Sequence, residues 1–368
     1  MKLCIVTPIF GDAAGGAASY YNLLVAQLID RGIVDSVTVV TEVNQTLDGG
    51  SLLDQRLKIL GLFPERASGM SFSLSYSARL IWQNIKMLHP ALLQEFKSAD
   101  VILIHSSFFN LPNFLFFSSV GFRDKTIIDV RDTQLHRWLA WQLHAFSSFI
   151  TCSENCYAHL LSYRLRRDNI TKIPIPIDEN KIKKSSNEID FELCRFKKKK
   201  IFAVGLVKRA KGCLRILEAM NYVNSPNWEL HFYGAIKDIT IINRFGKASN
   251  IFFHGAVSSD NMLIALNDAD LFVSASMSEG MPRSVLEAMF KGVKVLVPEC
   301  VPEFAKFPLE HRILNSDDPL QIGRKIDYCL NSVNFANNAE YYDYSRHTLD
   351  ATIPNYRRLL MAKFASVR

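Results

Sequence analysis

The chain has 368 residues, 48% hydrophobic and 21% charged, which is enough apolar material for about two domains with their own cores and too little charge for a disordered chain. Its net charge of +7 and pI near 8.9 favour an anionic partner: a phosphate-bearing ligand, a membrane face or nucleic acid. Seven cysteines, odd in number and scattered, argue against a disulfide framework and for a reducing compartment.

The N-terminal MKLCIVTPIF carries one lysine and a short apolar run, which reads as a first strand and not a signal peptide. No stretch has the roughly 18 consecutive apolar residues of a membrane span, so a cytoplasmic protein is expected. After that strand, Gly11, Gly15 and Gly16 permit close backbone approach to a phosphate or sugar. Their spacing is not G-x-G-x-x-G, which disfavours a nicotinamide cofactor. Apolar runs at 3–8, 37–42, 101–106, 125–130 and 149–154 read as buried strands, each followed by a turn and a helix-like segment. That alternation implies a parallel sheet wrapped by helices. Two segments differ: 73–96 mixes basic and aromatic residues, and 106–122 is rich in Phe. Both fit core helix and loop, or else a surface meeting lipid or a greasy acceptor.

Residues 171–200 turn prolyl, polar and basic and read as a linker. A second series of strands follows at 201–205, 230–234, 251–255, 271–276 and 293–298. The basic loop after the first of them holds Lys208, Arg209 and Lys211, cations able to neutralise a phosphate leaving group; a solvated loop is the plainer alternative. Residues 341–364 read as helical apart from Pro354, a kink or a break. Asp268 and Asp270 imitate a metal-binding pair but precede a strand, away from a sheet's ligand edge. The lysine run 197–200 reads as solvated linker that could touch anionic lipid. No nucleic-acid module accompanies the basic excess.

The segment SEGMPRSVLEAM places Glu279 at a strand's carboxyl end and Glu287 eight positions on. Free amides at 281–284, opening a helix that begins near Pro282, would form an anion site for a diphosphate. Glu287 could accept hydrogen bonds from vicinal hydroxyls such as those of a ribose. Ser284 to Glu287 also fits a capping box, and Arg283 with Glu287 an ordinary i,i+4 pair on a solvated face.

Taken in order, PIF-GDAAGG, SENCYAHL (153–160), KIPIPIDENKI (172–182), VGLVKRAKG (204–212), HG (254–255) and DADLFVSASMSEGMPRSVLEAMFKG (268–292) resemble the retaining glycosyltransferases of family four. Glu279, seven intervening residues and Glu287 are the most specific part. The resemblance implies an α/β protein of GT-B fold, with two facing Rossmann-like, doubly wound parallel-sheet domains and a cleft between them. In those enzymes Glu279 would grip the donor sugar and place its anomeric carbon, and Gly280 and Met281, with Pro282 beside them, would present amides to the diphosphate. Glu287 would bind the ribose, and Lys211 would neutralise the diphosphate. Gly15 and Gly16 would form a loop over the donor. Leu206 stands where the family has Arg, so Lys208 or Arg209 would substitute. Arg131 stands where many members carry a sugar-contacting His, which makes Arg131 and Asp132 candidates.

The expected domains are 1–175, a linker 176–200, a donor domain 201–340, and a helical segment 341–368 crossing back to the first domain. The expected activity is retaining transfer of a hexose from a UDP- or GDP-sugar to a glycan hydroxyl, in cell-surface polysaccharide or lipid-linked oligosaccharide synthesis. No cofactor or metal would be needed, and the protein could work on the cytoplasmic face of a membrane, in contact with anionic lipid but not nucleic acid. A sugar-nucleotide epimerase of the same architecture, or a degenerate binding subunit, are the alternatives; Leu206 and Arg131 favour the latter.

Overall fold

The computed structural model describes residues 1–11, 16–43, 55–63, 89–106, 117, 121–131, 140–185, 198–207, 211–332 and 338–367. They form two compact units, Met1–Pro176 with Asp350–Arg368, and Ile177–Leu349.

The first unit is built on seven parallel strands: β1 Lys2–Thr7, β2 Ser36–Val43, β3 Leu57–Phe63, β4 Val101–His105, β5 Thr126–Val130, β6 Phe149–Thr151 and β7 Ile170–Lys172. Their order is β3-β2-β1-β4-β5-β6-β7. All five residues of β4 and all five of β5 are buried, because a parallel strand covered on both faces needs a continuous apolar run rather than an alternating one. The helix Glu154–Ser162 starts where the Ser153 hydroxyl accepts from the Cys156 amide at 3.3 Å, a side-chain cap on an otherwise unsatisfied donor. Lys125 closes the end of the helix Pro90–Ser98 by donating to the carbonyls of Phe96, Lys97 and Ala99. Phe96, Phe117 and Phe122 pack ring against ring, centroids 5.4 to 6.4 Å apart. The described part of the Phe-rich segment is therefore core. Residues 107–116 and 118–120, with 73–88 of the basic aromatic segment, lie outside the described residues.

A buried charge cluster ties three elements of this unit together. Asp129, on β5, is fully buried and pairs with Arg131 Nε at 2.6 Å. Arg131 also donates from Nη2 to Tyr356 OH at 2.8 Å and to Tyr20 OH, and its guanidinium lies 3.9 Å from the centre of the Tyr20 ring. Tyr21 OH donates to Asp129 at 2.9 Å. Tyr20 and Tyr21 belong to the helix Gly16–Asp30, and Tyr356 to the helix Leu349–Val367. Burial is the largest influence on Arg131 and opposes its charge, but Asp129 together with Tyr20, Tyr356 and Cys152 outweighs it and holds the group above its ordinary value; burial pushes all three phenols up. The helix Leu349–Val367 runs unbroken through Pro354, which removes one intrahelical donor without ending the helix. It begins at Leu349, so 341–348 are not part of it; Tyr344–His347 form a separate 3-10 turn.

The second unit has six parallel strands: β8 Lys199–Val204, β9 Trp228–Tyr233, β10 Ile251–Gly255, β11 Leu271–Val273, β12 Lys294–Pro298 and β13 Arg312–Ile313, in the order β10-β9-β8-β11-β12-β13. Leu230 and Phe232 of β9 enter the core with Ile201, Ala203, Ile216, Leu217 and Ile326. The stretch read as a linker is partly structured: Glu179–Lys184 is a helix capped by Asp178, it belongs to the second unit, and β8 opens at Lys199. Lys198, Lys199 and Lys200 face Glu229, Asp270 and Asp268. The lysine run is therefore charge-balanced where it is described. Asp270 also accepts from the Lys200 amide at 2.8 Å, which fixes the two aspartates at the amino edge of the sheet.

On the face of β9 opposite the core, His231 and His254 stack in parallel, centroids 5.2 Å apart, with Tyr233 and Phe252 at either end. His231 Nδ1 and His254 Nε2 are 2.9 Å apart and share one hydrogen bond, so one of the two rings must be neutral. Burial lowers both imidazoles, and for His231 the neighbouring His254 lowers it further.

Replacing Arg131 with Met leaves Asp129 buried without its cation and is expected to destabilise the first unit by about 3–5 kcal/mol, whereas Tyr356→Phe should cost about 1 kcal/mol; urea unfolding of both variants measures this. The histidine pair sets a pH dependence. With folded-state values below the ordinary 6.5, the unfolded chain binds protons first, so stability is complete above pH 6.5 and falls as the pH drops below it. His231→Gln with His254→Gln should flatten that slope in melting curves taken across pH 5 to 7.

Candidate functional site

In the second unit the chain runs outward from β8 to β9 and β10, then crosses back to β11 on the other side of β8. The loops leaving β8 and β11 therefore diverge above the carboxyl ends of two adjacent strands. This reversal point is where open parallel sheets bind ligands. The two loops carry Lys211 and Glu279.

Lys211 Nζ donates to Glu279 Oε1 at 2.6 Å, and the Ser276 hydroxyl donates to the same oxygen at 2.7 Å. The Glu279 side chain is 17% exposed, so it faces neither bulk water nor a sealed core. Gly212, next to Lys211, has φ 72° and caps the helix Cys213–Ala219. A Cβ there would lie 2.0 Å from the Ala275 carbonyl oxygen, and only glycine allows both the backbone angle and the approach. The β11 loop is held from two further sides. Arg215 donates to the carbonyl of Ala275 at 3.3 Å and to that of Leu314 at 2.5 Å. Cys300 donates its thiol proton to the Ser276 carbonyl at 3.2 Å; burial and the nearby Glu279 push this thiol up to about 11.

Beyond Glu279, Gly280 and the buried Met281 lead into Pro282, which precedes the helix Arg283–Phe290. No side chain caps this helix, so the capping-box reading does not hold. Arg283 Nε donates to Glu287 Oε1 at 2.9 Å, the i,i+4 pair, but the two side chains are only 14% and 10% exposed. The pair is thus inside the fold and not on a solvated face. Arg283 Nη1 is buried with no hydrogen-bond partner among the described residues.

Of the residues singled out in the sequence, Lys211, Glu279, Gly280, Met281, Pro282 and Glu287 belong to this one edge of the second unit. Lys208 and Arg209 lie outside the described residues, as do Gly15 and Asp132. Gly16 opens the helix Gly16–Asp30 in the first unit, where Asn22 clamps the preceding turn through both the amide and the carbonyl of Gly11. Arg131 is engaged within the first unit's charge cluster, its side chain 10% exposed. The sequence reading missed Ser276, Arg215 and Cys300. Ser276 stands three residues before Glu279, a spacing that suits a side chain reaching over a turn, and this was the available signal. Among the described residues no three His, Cys, Asp or Glu side chains are grouped to hold a metal ion, and no described helix is long and apolar enough to cross a membrane.

Residues 198–332 match the sequence profile described as Glycosyl transferases group 1. The fold is similar to that of WaaG, a glycosyltransferase involved in lipopolysaccharide biosynthesis, with 14% identity, 98% of this chain and 99% of that chain covered, and a TM-score of 0.72. Anabaena HepE in complex with UDP and glucose is 16% identical over 100% of both chains, with a TM-score of 0.68. The N-terminal domain of Candida albicans trehalose-6-phosphate phosphatase is 14% identical over 99% of both chains, with a TM-score of 0.70. No curated protein matches the sequence at comparable significance. With its two parallel-sheet α/β units, the chain has the GT-B fold.

Gly212→Ala is expected to push the 274–276 backbone aside and destabilise the protein by about 1–3 kcal/mol, the range for a side chain forced into the left-handed region. The displacement should also free Cys300 from the Ser276 carbonyl. Alkylation by N-ethylmaleimide reads this, since Cys300 is the one half-buried thiol among the described cysteines; it should react faster in the variant than in the wild type.

Proposed function

We propose that the protein is a nucleotide-sugar-dependent glycosyltransferase that moves a hexose from a nucleoside diphosphate donor to a hydroxyl of a glycan, with retention of anomeric configuration. The observation that carries this is the Lys211 and Glu279 pair at the reversal point of the second sheet, within the segment that matches the group 1 glycosyltransferases.

Each group has a distinct task in this scheme. Lys211 neutralises the diphosphate as charge develops on the leaving oxygen. The amides of Gly280 and Met281 and the uncapped start of the helix Arg283–Phe290 receive the remaining phosphate oxygens. Glu279 accepts hydrogen bonds from sugar hydroxyls and so fixes the anomeric carbon, since a carboxylate makes the stronger, charge-assisted kind. Glu287, steadied by Arg283, accepts from the ribose hydroxyls. Lys208 and Arg209 add positive charge after β8 in place of the arginine that Leu206 replaces. With lysine, arginine and amides compensating the diphosphate, the reaction requires no metal. The acceptor hydroxyl attacks from the face that the diphosphate leaves, and its proton goes to the departing phosphate oxygen.

HepE is also solved in complex with UDP-glucose, and WaaG is described as acting in lipopolysaccharide biosynthesis. These parallels favour a UDP-hexose donor and a cell-surface glycan acceptor.

The donor at about 100 times its dissociation constant should stabilise the protein by about 2.7 kcal/mol through mass action, which a melting-temperature screen of UDP- and GDP-sugars reads directly. Adding glycan acceptors should release free nucleoside diphosphate, and Glu279→Gln should cut turnover by about 10²-fold or more. Unchanged turnover in that variant removes Glu279 from its role. Conversion of the sugar nucleotide with no acceptor, followed by NMR, marks an epimerase instead.

A further inference from the structure

Ser276 has no part in the scheme above, yet it is built into the site. Its residue is 4% exposed, and its hydroxyl reaches Glu279 Oε1 at 2.7 Å, the oxygen that Lys211 also contacts at 2.6 Å. One carboxylate oxygen thus takes a fixed neutral donor and a mobile charged one.

We propose that Ser276 is a positioning residue for Glu279, holding the carboxylate in place for the sugar while Lys211 leaves it for the donor diphosphate. The proposal rests on the roles assigned above to Lys211 and Glu279. A lysine ammonium on its flexible four-carbon stem follows the larger negative charge, and a diphosphate carries more charge than one carboxylate. As the lysine swings away, Oε1 loses its charged donor and keeps the Ser276 hydroxyl. A partly buried carboxylate that loses a donor is freer to turn toward water or another partner. It would then no longer point at the sugar.

The hydroxyl can prevent this because its own backbone is pinned. The Ser276 carbonyl accepts from Cys300, the Ala275 carbonyl accepts from Arg215, and Gly212 packs against Ala275 with no room for a methyl group. Ser276 is therefore attached to the fixed wall of the site, whereas Lys211 reaches across from the opposite loop. A supporting group of this kind preserves the orientation of a functional side chain through substrate binding. Ser276 also lies only three residues from Glu279, so the bond could be a purely local turn contact. The two roles differ in what they do to a ligand with a sugar and one without.

The experiment compares wild type, Ser276→Ala, Ser276→Thr and Ser276→Cys. Binding of UDP, UDP-glucose and UDP-galactose is measured by titration calorimetry, alongside turnover by UDP release with a glycan acceptor. Ser276→Ala should leave UDP affinity unchanged and weaken the sugar nucleotide, or lower kcat/KM, by about tenfold, the worth of one charge-assisted hydrogen bond. Threonine, which keeps the hydroxyl, should restore most of the loss. Cysteine, of similar size but a weak donor, should behave as alanine does and serves if the alanine variant folds poorly. In a Glu279→Gln background, Ser276→Ala should cost less than in the wild type, since the two act together. Equal weakening of UDP and of the sugar nucleotides, or no change in either, overturns the role of Ser276 alone. A wild-type protein that binds none of the three, and none of the GDP-sugars of the donor screen, overturns the site reading, and this proposal with it.

Discussion

The opposite charges of Lys211 and Glu279 meet at the one place in the second unit where the order of strands reverses. An all-parallel sheet delivers every strand's carboxyl end to the same edge, so the loops after β8 and β11 start side by side. Gly212 then decides how closely they approach, because its missing Cβ lets the helix Cys213–Ala219 begin directly against Ala275. The ion pair is a consequence of that approach. At this partial exposure its contribution to folding is small once desolvation is counted, so stability does not account for it. Two groups that satisfy each other without a ligand are consistent with the roles proposed for them at a sugar diphosphate.

The Asp129 and Arg131 pair in the first unit shows the opposite balance. There the carboxylate is fully buried and the cation nearly so, with Tyr20, Tyr21 and Tyr356 supplying further polar contacts. Such a cluster is costly to break, and through it Tyr356 links the helix Leu349–Val367 to Tyr20 of the helix Gly16–Asp30 and to Arg131 after β5. Its cation cannot turn to a substrate without leaving Asp129 charged in an apolar setting. A sequence position alone does not separate these two kinds of ion pair; the difference lies in how many other groups each charge already has.

The sequence made much of the architecture legible. Runs such as VILIH and TIIDV, apolar at most positions, mark strands buried on both faces and were readable. The strands that escaped are β3, with Gly61 in its middle, and β7 and β13, of three and two residues. They lie at or beside sheet edges, where burial imposes less pattern. At the site, Glu279 and Glu287 were legible because glycine and proline between two acids suit neither a strand nor a helix interior. Ser276, Arg215 and Cys300 were not, since they act through backbone carbonyls that any sequence provides. Arg131 looked like a ligand group because it stands where many members of the family that the chain resembles carry a sugar-contacting histidine. The contrary signal was Asp129 two positions earlier, on the same face of β5 and alone among apolar residues, a buried charge that needs a cation.

Two carboxylates close to a packed core are thereby accounted for in physical terms. Glu279 and Glu287 each have a cation at hydrogen-bond distance, Lys211 for the first and Arg283 for the second. The two cations differ in kind. Arg283 lies one helical turn from Glu287 and is itself largely buried, so that pair moves as one body with the helix Arg283–Phe290. Lys211 comes from a different loop and is attached only through its own flexible stem. In the proposed scheme a diphosphate would recruit Lys211 while leaving Arg283 where it is, so Lys211 would be the group that moves on binding and the Arg283 and Glu287 pair the part that stays.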